Sequence, residues 1–344
     1  MGNIGVLGAG TWGVALARML ANTGSQVTLW SALKEEVRQL ALFHTHPNLP
    51  GVAIPQNIIF TSQLQQVCQG QDLLLFAVPS PFVRDTAKKA APFLPDQQLV
   101  VDAAKGLEAG TLLTMTQVIA DELSKIHKSA RLAALSGPTH AEEVARDMPT
   151  TIVSASGDLR VAEMVQDVFM NTCMRVYTNT DLLGVELCGA LKNIMALAAG
   201  MSRGLGYGDN TKAAIITRGL AEITRLGFAM GCSEQTFTGL AGIGDLIVTA
   251  TSVHSRNNRC GQLIGQGLSP RQAVERVGMV VEGIHAVPAA MELSRRYDIE
   301  MPIVEAVDAI LHHGVSPAES VKELMGRDKK RERSTPLANG TENH

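Results

Sequence analysis

The 344-residue sequence is poor in aromatic side chains: two Trp, three Tyr and eight Phe make up only 4% of it. Its cores must therefore be built from aliphatic and small residues, and 32 glycines supply tight turns and close packings. An excess of one charge is also missing. Thirty Lys and Arg against 33 Asp and Glu leave a net charge of −3, which excludes a dedicated nucleic-acid binder, since that function needs a strong basic excess. The five cysteines, at 68, 173, 188, 232 and 260, are odd in number and contain no C-x-x-C. That pattern speaks against a disulfide framework or zinc site and for a reducing, cytoplasmic setting. His44-x-His46 has no third ligand nearby, so no metal is expected. No purely apolar run of about 18 residues occurs, and membrane insertion is not expected. A basic n-region is absent, and Val6 stands where a myristoylation motif needs Ser or Thr. With 45% apolar and 18% charged residues and a mean hydropathy of +0.10, the chain is globular and not disordered.

At roughly 150 residues per domain, the length suggests two domains. In the first half, short apolar runs at 3–7, 26–30, 73–78, 98–102, 131–135 and 150–155 alternate with helical stretches at 12–23, 81–91, 111–126 and 158–169. That alternation predicts a mainly parallel sheet covered on both faces. The run Leu73–Val78 shows no polar alternation and reads as a central strand buried on both sides. From 182 onward there is no strand pattern. Helices are expected at about 182–200, 211–230, 257–266, 270–276, 283–297, 302–313 and 317–325, separated by glycine-rich joints. The boundary falls near 180, giving an α/β domain over 1–180 and an all-α domain over 181–326. Residues 327–344 read as a charged, disordered tail, and Asn339-Gly340-Thr341 as a fortuitous glycosylation match.

Gly8-Ala9-Gly10-Thr11-Trp12-Gly13 is a G-x-G-x-x-G that follows the strand 3–7, opens a helix and is followed by the strand 26–30. This is the setting of a dinucleotide-binding, Rossmann-type doubly wound domain. Gly8 permits the tight turn, Gly10 lets the backbone approach a pyrophosphate, and Gly13 lets helix and strand pack closely. Free N–H groups at the helix start bind the phosphates. About 20 residues on, an NAD site usually has an acid on the ribose 2′-hydroxyl. Here the strand end reads Trp30-Ser31-Ala32-Leu33-Lys34, with no acid. Ser31 and Lys34 are suited to a 2′-phosphate although no Arg is present, so the reading is NADP(H) or NAD(H), NADP-tolerant or dual.

Residues 187–201 contain a single charge, Lys192, among apolar and small residues, and the helical neighbours of Lys192 offer no carboxylate. The helix is expected to be buried, with Lys192 pointing into a crevice, its pKa lowered and suited to proton transfer. A lysine snorkelling to the surface is the alternative. Lys105 and Ser136-Gly137-Pro138-Thr139 follow strands at their C-terminal ends, where open α/β sheets bind ligands, although Thr139 is equally a helix cap. Asp245 ends the glycine-rich run 239–245. Ser255-Arg256-Asn257 opens a helix with a donor set that suits a phosphate. Cys188, one turn before Lys192, raises the question of thiol sensitivity.

These stretches, together with Ala77-Val78-Pro79-Ser80, Lys105-Gly106-Leu107-Glu108, Gly189-Ala190-Leu191-Lys192-Asn193 and Val280-Val281-Glu282-Gly283, occur in one order over about 3–325. The chain resembles the bacterial NAD(P)-dependent glycerol-3-phosphate dehydrogenases. The resemblance implies reversible reduction of dihydroxyacetone phosphate to sn-glycerol 3-phosphate, a phospholipid precursor, with Lys192 as general acid/base. It implies Lys105, Gly137, Thr139, Lys192, Asp245, Ser255, Arg256 and Asn257 around the substrate, with Lys105 and Asp245 close to the chemistry. It implies Thr11, Trp12, Lys105, Ala141, Arg256, Val280 and Glu282 on the cofactor. The family's usual homodimer is expected as well. Many relatives carry Arg or His just after the second strand, and Ser31-Ala32-Leu33 departs from that. A β-hydroxyacid-type dehydrogenase is the alternative enzyme, and a dinucleotide-binding redox sensor the alternative outside catalysis; the presence of both Lys192 and Arg256 weighs against the sensor.

Overall fold

The computed structural model describes residues 2–329 and 332. The first part alternates β1 (Asn3–Leu7), α1 (Thr11–Asn22), β2 (Gln26–Trp30), α2 (Lys34–Phe43), β3 (Ile58–Thr61), α3 (Leu64–Cys68), β4 (Leu73–Phe76), α4 (Val83–Ala90), β5 (Gln98–Asp102), α5 (Met115–Ser124), β6 (Ala130–Ser136), α6 (Ala141–Val144), β7 (Thr150–Ala155), α7 (Leu159–Phe169) and β8 (Met174–Asn179). The second part is helical: α8 (Leu182–Gly204), α9 (Asp209–Ala229), α10 (Glu234–Phe237), a π-helical turn (Leu240–Gly244), α11 (Asp245–Thr251), α12 (Arg256–Gly265), α13 (Pro270–Val277), α14 (Glu282–Tyr297), α15 (Pro302–His312) and α16 (Pro317–Met325). The result is the expected α/β sheet domain followed by an all-helical one.

The eight strands run in the order β3-β2-β1-β4-β5-β6-β7-β8, all neighbours parallel except β6 and β7. The order reverses at β1, so the C-terminal ends of β1 and β4 flank the crevice where such sheets bind ligands. All four residues of β4 are buried, as the unbroken apolar run required. Two strands escaped the sequence reading. β3 is a four-residue edge strand. β8 alternates buried Met174 and Val176 with exposed Arg175 and Tyr177 at the other edge, a period-2 pattern that was legible. The helix expected over 111–126 starts only at Met115, because Thr114 and Gln117 form a capping box there. The segment 234–251, expected as a glycine-rich joint, is helical, with Gly242 packed against the Phe237 backbone. Most of the tail reading, and the 339–341 match, fall on residues outside those described; Arg327, at its start, donates to Glu300 at 3.3 Å.

α8 is the axis of the helical domain, with 18 of its 23 residues buried. By length and composition it is apolar enough to cross a membrane, but 89% of that window is buried inside the molecule. α12 lies directly on it through four glycines. A Cβ on Gly200 would sit 2.1 Å from Asn258 O, on Gly204 2.3 Å from Gln262 O, on Gly261 2.0 Å from Leu197 O, and on Gly265 2.2 Å from Met201 O. Each helix thus presses its backbone into the other, which leaves no room for a methyl group. This contact holds the start of α12, with Arg256, against the stretch of α8 that carries Lys192.

Gly261→Ala is expected to destabilise the fold by about 1–3 kcal/mol through overpacking, read as a lower urea midpoint at unchanged slope. Gly157→Ala, where an added Cβ meets nothing within 4 Å, is expected to stay within about 0.5 kcal/mol of wild type.

Candidate active site

The turn between β1 and α1 has the geometry its glycines demand. Gly8 has φ +118°, and a Cβ there would lie 2.8 Å from the Ala77 backbone. A Cβ on Gly13 would lie 1.9 Å from Gly8 O, so only glycine lets α1 start this close to the strand. At Gly10 an added Cβ would meet nothing within 4 Å, so the front of the turn is open. Gly10 is also the N-cap of α1 and provides no side-chain cap, which leaves the first N–H groups of the helix for a ligand. A pyrophosphate fits this open, donor-lined turn. Beside it, Thr11 is buried and accepts from Asn48 Nδ2 at 3.3 Å, and Trp12 is half-buried.

The end of β2 corrects one point of the sequence reading, the absence of an acid. An acid is present, supplied from the first turn of α2: Ser31 Oγ donates to Glu36 Oε2 at 2.5 Å. Spacing alone missed it because Glu36 lies five residues past Ser31 and returns through a turn closed by Leu33 N to Ser31 Oγ, 3.1 Å. Lys34, at the start of the same helix, is exposed.

Across the crevice, Asp245 opens α11 with no exposed surface. Its Oδ2 accepts from Lys105 Nζ at 2.7 Å, and its Oδ1 accepts from Lys192 Nζ. Lys105 follows β5, whereas Lys192 and Asp245 belong to the helical domain, so the carboxylate joins the two domains. Lys192 also donates to Thr249 Oγ1 at 2.7 Å, and Thr249 in turn donates to the Asp245 carbonyl at 2.6 Å. Lys192 is therefore buried but not unpaired. The expectation of a lysine without a carboxylate held only for its own helix; the partner comes from 53 residues away. At 5% exposure it does not snorkel to the surface.

The electrostatics follow from this packing. Burial pulls the Lys192 ammonium down to about 7, the Lys105 cation works in the same direction, and the Asp245 charge opposes both. For Asp245, burial pushes upward, but Lys105 and Lys192 override it and hold the carboxyl below its ordinary value. The pair thus combines an ionised carboxylate with an ammonium poised near neutral pH.

Several of the expected residues are tied to Lys105 and its neighbours by hydrogen bonds. Lys105 Nζ also donates to Gly137 O at 3.0 Å and to Thr139 Oγ1 at 3.3 Å. Gly137 has φ +155° and lies against the Ile152 backbone, so a side chain there would be strained. Asn193, the last residue of the Gly189–Asn193 motif, bridges three elements. Its Nδ2 donates to Lys105 O at 3.2 Å, its Oδ1 accepts from Asn257 Nδ2 at 2.9 Å, and Asn257 Oδ1 accepts from Gly283 N at 2.8 Å. This ladder links the β5 loop, α8, α12 and α14. Ser255 caps α12 by accepting from Asn258 N at 3.2 Å. Arg256 is half-buried and makes no hydrogen bond or ion pair among the described residues. Ala141 and Val280 are half-buried. Glu282 reaches back to the sheet domain: Ser80 N donates to its Oε1 at 3.0 Å and Ser80 Oγ to its Oε2. Cys188 is 2% exposed, and burial pushes its thiol well up, so the packing gives no route to thiol sensitivity.

Comparison with known proteins shows the family. Residues 3–162 match the family model of the NAD-dependent glycerol-3-phosphate dehydrogenase N-terminus, and residues 181–322 that of its C-terminus. The chain is 62% identical over 334 residues to the Lactobacillus delbrueckii subsp. bulgaricus protein named glycerol-3-phosphate dehydrogenase NAD(P)+ 2, covering 96% of this chain and 99% of that one. It is 49% identical over 336 residues to the Agathobacter rectalis protein named glycerol-3-phosphate dehydrogenase NAD(P)+, covering 97% and 99%. Among solved structures it is similar to glycerol-3-phosphate dehydrogenase from Coxiella burnetii, with TM-score 0.90 and 36% identity over 95% of this chain and 99% of that chain.

Asp245→Asn leaves two buried or half-buried ammonium groups without their anion. It is expected to cost about 3–5 kcal/mol of stability, measured by urea unfolding at neutral pH, whereas an equally stable variant would show that the carboxylate is not holding the lysines.

Proposed function

The chain belongs to the NAD-dependent glycerol-3-phosphate dehydrogenase family, and on that premise we propose how its own residues carry the reaction. The enzyme is an NAD(P)-dependent oxidoreductase that interconverts dihydroxyacetone phosphate and glycerol 3-phosphate. When bound, the nicotinamide cofactor supplies or accepts the hydride. Residues 1–180 hold the dinucleotide, with the pyrophosphate on the Gly8–Gly13 turn and the helix start behind it. Residues 181–326 supply the proton and much of the substrate pocket.

Lys192 is the general acid and base. In reduction its ammonium gives a proton to the substrate carbonyl oxygen as the alkoxide forms; in oxidation its neutral amine takes the proton from the hydroxyl. Asp245 and Thr249 fix the lysine's Nζ, and Asp245 keeps Lys105 beside it. Arg256, half-buried and without a hydrogen bond or ion pair among the described residues, would meet the substrate's phosphate, as would the donors at the start of α12. Gly137 and Thr139 shape the wall next to Lys105, and the Asn193–Asn257 ladder sets the spacing between them and α12. Glu282 fixes α14 against Ser80 and so limits relative motion of the two halves. The observation that carries the reading is Lys192, a buried ammonium held near neutral pKa and hydrogen-bonded to Asp245, which also holds Lys105 at the end of the sheet that carries the open Gly10 turn. The same reading takes in sn-glycerol 3-phosphate as a phospholipid precursor and a homodimer in the cytoplasm, with α8 committed to the protein core and not to a membrane; the family resemblance supports these points.

Reduced-nicotinamide absorbance should fall when the wild type meets dihydroxyacetone phosphate, and Lys192→Ala should lose at least about 10²-fold in rate. Reduction requires the protonated lysine, so its kcat/KM should decline as pH rises above about 7. Oxidation requires the free amine and should decline as pH falls below about 7. A folded wild type that consumes neither NADH nor NADPH with this substrate would overturn the reading.

A further inference from the structure

We infer that Glu36 makes this enzyme prefer the dinucleotide with a free ribose 2′-hydroxyl, NAD(H), over the 2′-phosphorylated NADP(H). The inference rests on the assignment of the dinucleotide to the Gly8–Gly13 turn. In a sheet of this order, the adenosine ribose lies beyond the C-terminal end of the strand that follows the glycine-rich helix, which here is β2. At that end stands Ser31, buried, with its hydroxyl on Glu36 Oε2 at 2.5 Å. Leu33 N closes the turn onto the same hydroxyl at 3.1 Å, so the first turn of α2 folds back and carries its carboxylate to the strand end. Oε1 of Glu36 has no partner among the described residues and remains open to accept a hydroxyl.

The surroundings give a second phosphate little to bind. The neighbouring Glu35 is occupied by Arg38 at 2.9 Å and Gln39 at 2.7 Å, which also takes up the one arginine of α2. Lys34 is exposed and makes no hydrogen bond or ion pair with Ser31 or Glu36. His46 closes the other side. Its ring is buried, accepts from Asn48 N at 3.1 Å through Nδ1, touches the Ala9 backbone of the glycine turn and feels the Glu36 charge. Burial keeps that imidazole below its ordinary pKa, so it is neutral at pH 7 and does not offset the carboxylate. His44, which ends α2, packs edge-on against Phe60 with ring centroids 5.5 Å apart. The charge hydrogen-bonded to the end of β2 is therefore negative. A carboxylate accepts a 2′-hydroxyl and repels a 2′-phosphate.

Isothermal titration of the full chain with NADH and with NADPH, in the absence of substrate, tests this without relying on turnover. The wild type is expected to bind NADH at least about tenfold more tightly, the low end for a hydrogen bond to a charged group. Glu36→Gln, which removes the charge but keeps the shape, should narrow the ratio to within about threefold, mainly by tightening NADPH. A wild-type ratio below about tenfold, or a Glu36→Gln ratio equal to that of wild type, overturns the inference. If Glu36→Gln does not fold, the wild-type ratio still decides. If neither dinucleotide binds, the assignment of the turn fails, and the inference with it.

Discussion

A carboxylate with no exposed surface is stable only when something positive and well placed compensates it. Asp245 is compensated twice, by Lys192 from α8 and by Lys105 from the loop after β5. The rest of the site depends on that arrangement. Burial, helped by the Lys105 cation, outweighs the pull of the shared anion and leaves the Lys192 ammonium near neutral pH. Because the lysines come from different domains, the same contact that tunes the acid also fixes the crevice between the sheet and the helices. Chemistry and domain geometry are thus set by one interaction and are expected to fail together.

The fold is organised to make this interaction possible. A buried ion pair needs rigid walls, and the low aromatic content makes the walls out of backbone and small side chains. The interlocked glycines of α8 and α12 bring the two helices together with almost no side chain between them. Asn193 and Asn257 then hydrogen-bond across that junction and reach the Lys105 carbonyl on one side and Gly283 on the other. On the sheet side, the three glycines of the first turn let α1 begin close to β1 and leave an open, donor-lined face.

Much of this was legible in the sequence, and the illegible parts share a physical cause. Local patterns were readable: the strand–turn–helix setting of Gly8, Gly10 and Gly13, the doubly buried run of β4, and the apolar helix around Lys192. What could not be read was long-range return of the chain. Lys192 and Asp245 are 53 residues apart, and only folding shows that they meet. Glu36 was missed because the acid was sought at the end of β2 itself, whereas a turn at Ser31 delivers it from α2. The glycine contacts of α8 with α12 are equally non-local. Two misses were of another kind. β8 carried an alternating pattern that was open to reading, and the start of α5 was marked by Thr114 and Gln117. Arg256 illustrates the limit from the other side: its position at a helix start was predictable, but its lack of a hydrogen bond or ion pair among the described residues was not.

The central claim is that Lys192 is a buried ammonium whose proton is exchangeable near neutral pH. The most direct measurement is an NMR titration of its ε-carbon in the folded, selectively 13C-labelled chain, with Lys192→Arg used to assign the signal. A midpoint close to 7 is the predicted result. A midpoint near the ordinary lysine value of about 10.4 would contradict it, since the lysine would then be a permanent cation and the proton would have to come from elsewhere.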